Sequence, residues 1–359
     1  MRIAIVGTRG IPANYGGFET FAEELSQRLA ARGHDVFVYC RARHSTSTYL
    51  GVKLVYLPTI RSKYFDTIAH TAISTLDLVF RRADVALYCN AANAIFTILP
   101  RVTGIPVALN VDGLERKRKK WNAAARAWYR MSEWLSTFLP SRAVSDAEKI
   151  AAYYRDTYNA DTTFIPYGAP VGKVSTAEVL GRLGLEAGRY FLYVTRFEPE
   201  NNPLLVREAF ETLETDMRLA LIGDAPYAHE YIRKVRDSKD PRVLLPGAIY
   251  RQGYHELQSH CAAYVHATEV GGTHPALIEA MGRGCLVLYL RTPENEEVAG
   301  GVGLPFEPGE LAARMRQVLA MSEAERAAWG EKARGRVAER YSWEAVTTAY
   351  ERLFQELTR

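Results

Sequence analysis

Two successive series of short, mostly apolar runs, separated by stretches of helical periodicity, constrain this chain more than any other feature of it. A strand that is apolar at every position needs cover on both faces, which is the condition of a parallel sheet flanked by helices. The first series comprises residues 2–6, 35–39, 52–57, 85–88, 107–109 and 143–144. Between its first two runs Phe18, Phe21, Ala22, Leu25 and Leu29 share one helical face, and Gly33 offers a C-terminal stop. Pro166, Gly168 and Pro170 interrupt the alternation. A second series takes in residues 190–194, 219–222, 243–245, 262–266 and 286–290. The tail from 322 to 358 is helical in pattern except at Tyr341-Ser342-Trp343, where Ser342 can cap a new helix. The reading is an α/β protein of two doubly wound domains joined near residues 167–185. A length of 359 residues, at ~150 per domain, agrees with it.

Composition removes several classes. Lys plus Arg number 45 against 41 Asp plus Glu, a net charge of +4, too small an excess to imply nucleic acid. Hydrophobic residues at 48% and charged residues at 24% exclude a disordered or fibrous chain. No apolar run approaches the ~18–20 residues of a membrane span. The first seven residues lack the pattern of a signal peptide, so a cytoplasmic location is expected. Cys40, Cys89, Cys261 and Cys285 are far apart, and the first two end apolar runs, which reads as buried free thiols.

Four loops carry residues suited to chemistry, and each follows a strand. The first runs from Gly7 to Gly17, eleven residues where two to six are usual. Gly16-Gly17 lets a ligand approach the backbone ahead of a helix, although the spacing is not G-x-G-x-x-G; the alternative is a turn that only connects strand to helix. The second is Val270-Gly271-Gly272-Thr273-His274-Pro275, with Thr273 a possible N-cap and Pro275 in the first turn. Amides around Gly272-Thr273 suit a phosphate, and Glu279, one and a half turns on, can accept two ribose hydroxyls; the alternative is a surface glutamate. In the third, Thr195 to Pro203, Arg196 can grip a diphosphate bidentately or pair with Glu198 or Glu200. The fourth holds Asp112, able to orient a hydroxyl or take its proton. After it come Arg116, Lys117, Arg118, Lys119 and Lys120, then Trp121, Trp128, Tyr129 and Trp134. That mixture suits an anionic membrane surface as well as it suits a solvated run beside a helix. There is no D-x-D and no His/Cys cluster, so no metal is expected.

These four motifs, in this order on two α/β domains, resemble glycosyltransferase family 4, most closely its bacterial rhamnosyltransferase-like branch. The segments that carry the likeness are Gly7-Thr8-Arg9-Gly10-Ile11-Pro12 through Gly16-Gly17-Phe18-Glu19-Thr20, Asn110-Val111-Asp112-Gly113-Leu114-Glu115, Arg196-Phe197-Glu198-Pro199-Glu200-Asn201-Asn202, Val270-Gly271-Gly272-Thr273 and Pro275 through Met281. The resemblance implies the GT-B fold, with two Rossmann-like domains facing each other across a cleft. Residues 1–168 would bind the acceptor and 169–340 the nucleotide-sugar donor, while 341–359 form a helix packing back on the first domain. It implies a retaining, metal-independent transfer from a nucleotide diphosphate donor, dTDP-rhamnose or a UDP-sugar, without a cofactor. The acceptor would be a saccharide, lipid-linked, in cell-surface polysaccharide synthesis, with the enzyme peripheral on the inner membrane face.

The resemblance also assigns residues. Glu279 meets the ribose, Gly272 and Thr273 the diphosphate, and Arg196 the diphosphate as a catalytic group beside Asp112. Ala248, Ile249 and Tyr250 flank the base. Gly16 and Gly17 reach the donor phosphates. Asn201, His266, Glu269 and Gly271 complete the donor site, and Tyr15, Asp112, Glu115 and Arg116 the acceptor site. Two departures stand out. Many members carry a glutamate eight positions before Glu279, where this chain has Gly271, with Glu269 two residues earlier. Many carry a lysine five residues after the arginine, where this chain has Asn201. The departures motivate a second reading, a nucleotide-sugar binding subunit without turnover; a third keeps the fold and changes the reaction to nucleotide-sugar epimerisation.

Overall fold

Both apolar series fold into parallel sheets. The computed structural model describes residues 1–13, 16–60, 66–119, 121–225 and 229–359. The chain divides into two units. Unit 1 consists of Met1–Lys117, Trp121–Gly168 and Trp343–Arg359; unit 2 consists of Arg118–Lys120 and Ala169–Ser342.

Unit 1 is built on strands β1 (Arg2–Val6), β2 (Asp35–Cys40), β3 (Thr48–Tyr49), β4 (Val52–Tyr56), β5 (Val85–Cys89), β6 (Val107–Asn110), β7 (Arg142–Ser145) and β8 (Thr163–Phe164). Their order in the sheet is β3-β4-β2-β1-β5-β6-β7-β8, with every pair parallel except β3–β4. In β1, Ile3 stands opposite Val36 on one side and Val85 on the other. Its helices are α1 (Gly17–Ala31), α2 (Asp66–Arg81), α3 (Ile98–Val102, preceded by a 3-10 stretch Ala91–Thr97), α4 (Ala123–Leu135) and α5 (Glu148–Tyr158). Ala4, Val6, Phe37, Tyr39, Tyr88 and Leu109 point to one sheet face and pack there against Leu78, Ala94 and Tyr154 of the helices. The two-residue strand β3 was not expected from the sequence. It is the edge of a tight hairpin in which Leu50 and Gly51, at φ 47° and 79°, supply the two left-handed positions such a turn needs.

Unit 2 has β9 (Tyr190–Val194), β10 (Arg218–Ile222), β11 (Val243–Leu244), β12 (Ala263–His266), β13 (Val287–Leu290) and β14 (Leu304–Phe306), ordered β11-β10-β9-β12-β13-β14 and parallel throughout. Helices α6 (Glu178–Leu183), α7 (Pro203–Glu211), α8 (His229–Arg236), α9 (Arg251–His260), α10 (Pro275–Gly282), α11 (Pro293–Ala299), α12 (Leu311–Ala320) and α13 (Glu323–Arg340) complete it. Its core joins Phe191, Tyr193, Leu219, Leu221, Val265 and Leu288 of the sheet to Val206, Phe210, Met315 and Val318 of the helices. Short β14 and β8, like β3, escape the sequence pattern.

The last helix, α14 (Trp343–Leu357), belongs to unit 1. It packs on α1, where Tyr350 lies 5.5 Å from Phe21 and its hydroxyl takes a 3.0 Å hydrogen bond from Asn110 Nδ2. Glu351 accepts from Arg32 Nη1 at 2.7 Å and is bonded to His34 at 2.7 Å. Trp343 sits against Gly168, with the Arg28 guanidinium 5.3 Å above its ring and Phe21 stacked at 6.4 Å. Chain exit and chain re-entry of unit 1 therefore touch. A Cβ on Gly168 would overlap the indole. Gly168→Ala should cost about 1–3 kcal/mol by overpacking, read as a lowered urea midpoint. Gly181→Ala, in α6 with open space around it, should leave stability unchanged or raise it by up to about 1 kcal/mol.

Candidate functional site

Parallel strands deliver their following loops to one edge of the sheet, and ligands bind at that edge where strand order reverses. In unit 1 the reversal is at β1, flanked by β2 and β5; in unit 2 it is at β9, flanked by β10 and β12. The loops after β1, β9 and β12 are three of the four singled out by sequence, and Asp112 follows β6, next to β5.

In unit 2, Glu279 lies on α10 and is nearly buried. Tyr254 Oη donates to its carboxylate at 2.6 Å, and Gln258 Nε2 donates to the Tyr254 hydroxyl at 2.8 Å. Burial, then the facing Glu279 carboxylate, pushes the Tyr254 phenol well above its ordinary range, so it stays a donor. The N-cap of α10 is His274 rather than Thr273, with Pro275 at the first helical position. His274 Nδ1 is bonded to Asn295 Oδ1 at 2.6 Å, and its ring lies 4.8 Å from that of His266. Burial holds both imidazoles below their ordinary pKa, hence neutral at pH 7. His266 stacks on Tyr264 and its ring nitrogens have no hydrogen-bond partner among the described residues. The His274 ring also explains Gly271, because a side chain there would run into it. A glutamate at 271 is incompatible with His274 in this position.

The loop after β9 is tied down from inside. Asn201 is buried; its Nδ2 donates to the Arg196 carbonyl at 2.8 Å and its own carbonyl accepts from Tyr193. The Asn201 side chain thus braces the Arg196 backbone. The Arg196 guanidinium is partly exposed, 3.6 Å from Glu198. Glu269 accepts from Asn202 Nδ2 at 3.0 Å and pairs with Lys119 at 3.0 Å. Ala248, Ile249 and Tyr250 form the approach to α9, with Tyr250 as its N-cap and half exposed.

In unit 1 the loop after β1 is pinned by α1. Arg9 N donates to Glu19 at 2.9 Å and Ala13 N to Glu23 at 2.6 Å. Gly10, at φ 100°, presses on Cys40 where no side chain fits. Gly16 caps α1 and Gly17 opens it; Tyr15 lies outside the described residues. Asp112 adopts a left-handed φ of 61°, its amide on Asn110 Oδ1 at 3.0 Å and its carboxylate accepting from Tyr167 at 3.4 Å. Aspartate adopts this left-handed region more readily than most non-glycine residues, because its short side chain can bond locally.

The basic run is not the single exposed platform that the sequence suggested. Arg116 Nε donates to buried Glu133 at 3.0 Å and its Nη2 to Tyr153 at 2.8 Å. The Arg118 side chain is nearly buried, 3.8 Å from each of Glu198 and Glu200. Lys119 serves Glu269, Lys117 is exposed, and Lys120 lies outside the described residues. Trp121 Nε1 donates to Glu115 at 3.3 Å and its ring packs on Tyr129. Local sequence shows a charge run, but the partners of Arg116, Arg118 and Lys119 are remote in the chain. Among the described residues no group of three or more His, Cys, Asp or Glu side chains is arranged to hold a metal ion.

Residues 1–170 match a family described as Domain of unknown function (DUF1972), and residues 182–336 match Glycosyl transferases group 1. Solved structures resemble the whole chain. Sucrose-phosphate synthase from Thermosynechococcus elongatus superposes with a TM-score of 0.82 at 19% identity, covering 99% of this chain and 98% of that one. Anabaena Alr3699/HepE, solved with UDP and glucose, gives 0.80 at 15%, covering 99% and 100%. WaaG, a glycosyltransferase involved in lipopolysaccharide biosynthesis, gives 0.75 at 16%, covering 99% of each. At these identities the likeness establishes the fold, two Rossmann-like α/β sheets as in GT-B glycosyltransferases. A search of the curated proteins found no match.

In unit 2, sequence reasoning missed Tyr254 and Gln258, which hold Glu279, and Asn295, which holds His274. Only their helical spacing, i and i+4 for the first two, was legible. In unit 1 it missed Glu133, the partner of Arg116. Arg116→Met should therefore act on stability, costing about 1–3 kcal/mol in a urea titration by leaving Glu133 short of a partner. Lys117→Met should be neutral in the same titration.

Proposed function

We propose that the protein is a retaining, metal-independent glycosyltransferase that moves a sugar from a nucleotide diphosphate donor to a lipid-linked saccharide during cell-surface polysaccharide synthesis. The observation that carries this reading is Glu279. It lies in the segment that matches group 1 glycosyl transferases, on the helix that follows β12, the neighbour of β9 at the order reversal, with its carboxylate held by the Tyr254–Gln258 relay. On this reading unit 2 binds the donor. Glu279 accepts the ribose hydroxyls, Ala248 through Tyr250 flank the base, and the Gly272-Thr273 backbone with Arg196 receives the diphosphate. HepE was solved with UDP-glucose, which supports a uridine donor; dTDP-rhamnose rests on the resemblance to the rhamnosyltransferase-like branch.

Chemistry follows from where charge grows. As the sugar–phosphate bond breaks, negative charge collects on the leaving diphosphate. Backbone amides at a helix start and a guanidinium held beside it stabilise that charge without reorganising. The acceptor hydroxyl attacks from the face the diphosphate leaves, and its proton passes to the departing phosphate oxygen. Asp112 in unit 1 orients the acceptor. The protein would work in the cytoplasm, peripheral to the inner membrane face.

A panel of nucleotide sugars tested for thermal stabilisation checks the donor class, since a ligand at ~100 times its dissociation constant adds about 2.7 kcal/mol. Nucleotide diphosphate release that no saccharide accelerates would leave only a binding module. Glu279→Ala should weaken nucleotide binding by about 1.5–3 kcal/mol in calorimetry, and Tyr254→Phe by about 0.5–1.5 kcal/mol. Unchanged affinity in Glu279→Ala would remove Glu279 from the site. Arg196→Ala should lower turnover more than donor affinity, because its grip tightens as charge develops. Equal losses would make Arg196 a ground-state binding residue.

A further inference from the structure

Three neighbouring helices of unit 1 each turn an apolar stripe outward. On α2 the exposed residues Ile73, Leu76 and Phe80 recur at helical spacing, and Phe80 is 86% exposed. Along the segment 91–102 they are Ile95, Ile98 and Val102, the last 74% exposed. On α4 and its following turn they are Met131, Trp134 and Phe138, with the two rings 4.7 Å apart. The elements that carry the stripes are neighbours, because the 91–102 segment packs against both α2 and α4. Arg101 Nη1 fastens that segment to the end of α4 by donating to the carbonyls of Phe138 at 2.9 Å and Leu139 at 2.7 Å. The opposite faces of the same helices already fill the core with Leu78, Ala91, Ala94 and Leu135. The outward stripes are thus surplus to folding, and monomers rarely expose so much neighbouring apolar surface without a use for it.

Charge selects the occupant. Arg81, Arg82, Arg101, Arg126 and Arg130 are exposed on or beside these helices. Past the first turn of α2, the helices carry two carboxylates. Asp77 is engaged by Arg81 and Tyr39, and Glu133 is buried under Arg116. An apolar face of Phe, Trp, Leu and Ile rimmed by arginines and poor in exposed acid matches an anionic bilayer, whose headgroups take the cations while the stripes enter the interface. We propose that the α2–α3–α4 face of unit 1 docks the protein on an anionic lipid bilayer. The inference rests on the lipid-linked acceptor in the proposed function and moves the contact away from the basic run, whose cations are largely engaged.

The test uses the full chain and vesicles of phosphatidylglycerol with phosphatidylcholine at low salt, where surface attraction is strongest. Wild type should sediment with these vesicles and not with phosphatidylcholine alone. Leu76→Glu/Phe80→Glu/Val102→Glu should lose more than tenfold in partitioning, while its urea midpoint and its stabilisation by nucleotide sugar stay as in wild type. Lys117→Glu should bind within twofold of wild type. Brominated lipid should quench tryptophan fluorescence in wild type, and Trp134→Phe should remove most of that quench, a readout that does not depend on the triple variant. Three results overturn the proposal: wild type ignoring anionic vesicles, the triple variant binding as well as wild type, or the triple variant turning a dimer into a monomer, which would make the face an interface between copies. Nucleotide-sugar stabilisation is read separately on the soluble protein. Its failure with docking intact sinks the transferase reading alone, and docking failure with stabilisation intact sinks this surface alone.

Discussion

Parallel strands impose the constraint on which the rest of this structure depends. Each strand must be followed by a crossover that carries the chain back to the far end of the sheet, so the loops that leave the strands gather at one edge. The crossovers diverge at β1 and again at β9, where neighbouring loops leave in opposite directions and ligands bind in sheets of this kind. The long loop after β1 and the loops after β9 and β12 exist because of this geometry. A close-packed glycine, a braced arginine and the buried glutamate of α10 keep that polar edge ordered.

Ordering is achieved by polar groups that work in series. Glu279 is positioned by Tyr254, and Tyr254 by Gln258, one helical turn along α9. Arg196 is positioned through its carbonyl by Asn201, whose own carbonyl is held by Tyr193. In unit 1 the same logic binds Arg116 to Glu133, which also accepts from Tyr153 and Tyr158. A carboxylate removed from water is tolerated only when several donors converge on it. These networks fix side chains at the cost of freedom they would have on a surface.

Much of this was legible in sequence, for a physical reason. Strands buried on both faces carry their own signal, so β1 and β9 match their apolar runs residue for residue, and Gly33 does stand at φ 88° just past α1. Strands β3, β8 and β14 were missed because two or three residues at or near a sheet edge bury too little to leave a pattern, and β14 also contains Pro305. Partnerships between distant residues were invisible. Nothing near Gly271 announces that His274 occupies its side-chain space, and nothing near Arg116 points to Glu133, seventeen residues on. The loop positions were readable because topology creates them; the pairings were not, because packing does.

Helix α14 adds a consequence in time. It closes unit 1 through Trp343, Tyr350 and Glu351, yet a ribosome makes it only after every residue of unit 2. Unit 2 can therefore fold as soon as it emerges, while the first sheet waits with α1 uncovered on the side that Tyr350 will fill. The part of the protein synthesised first is the part completed last.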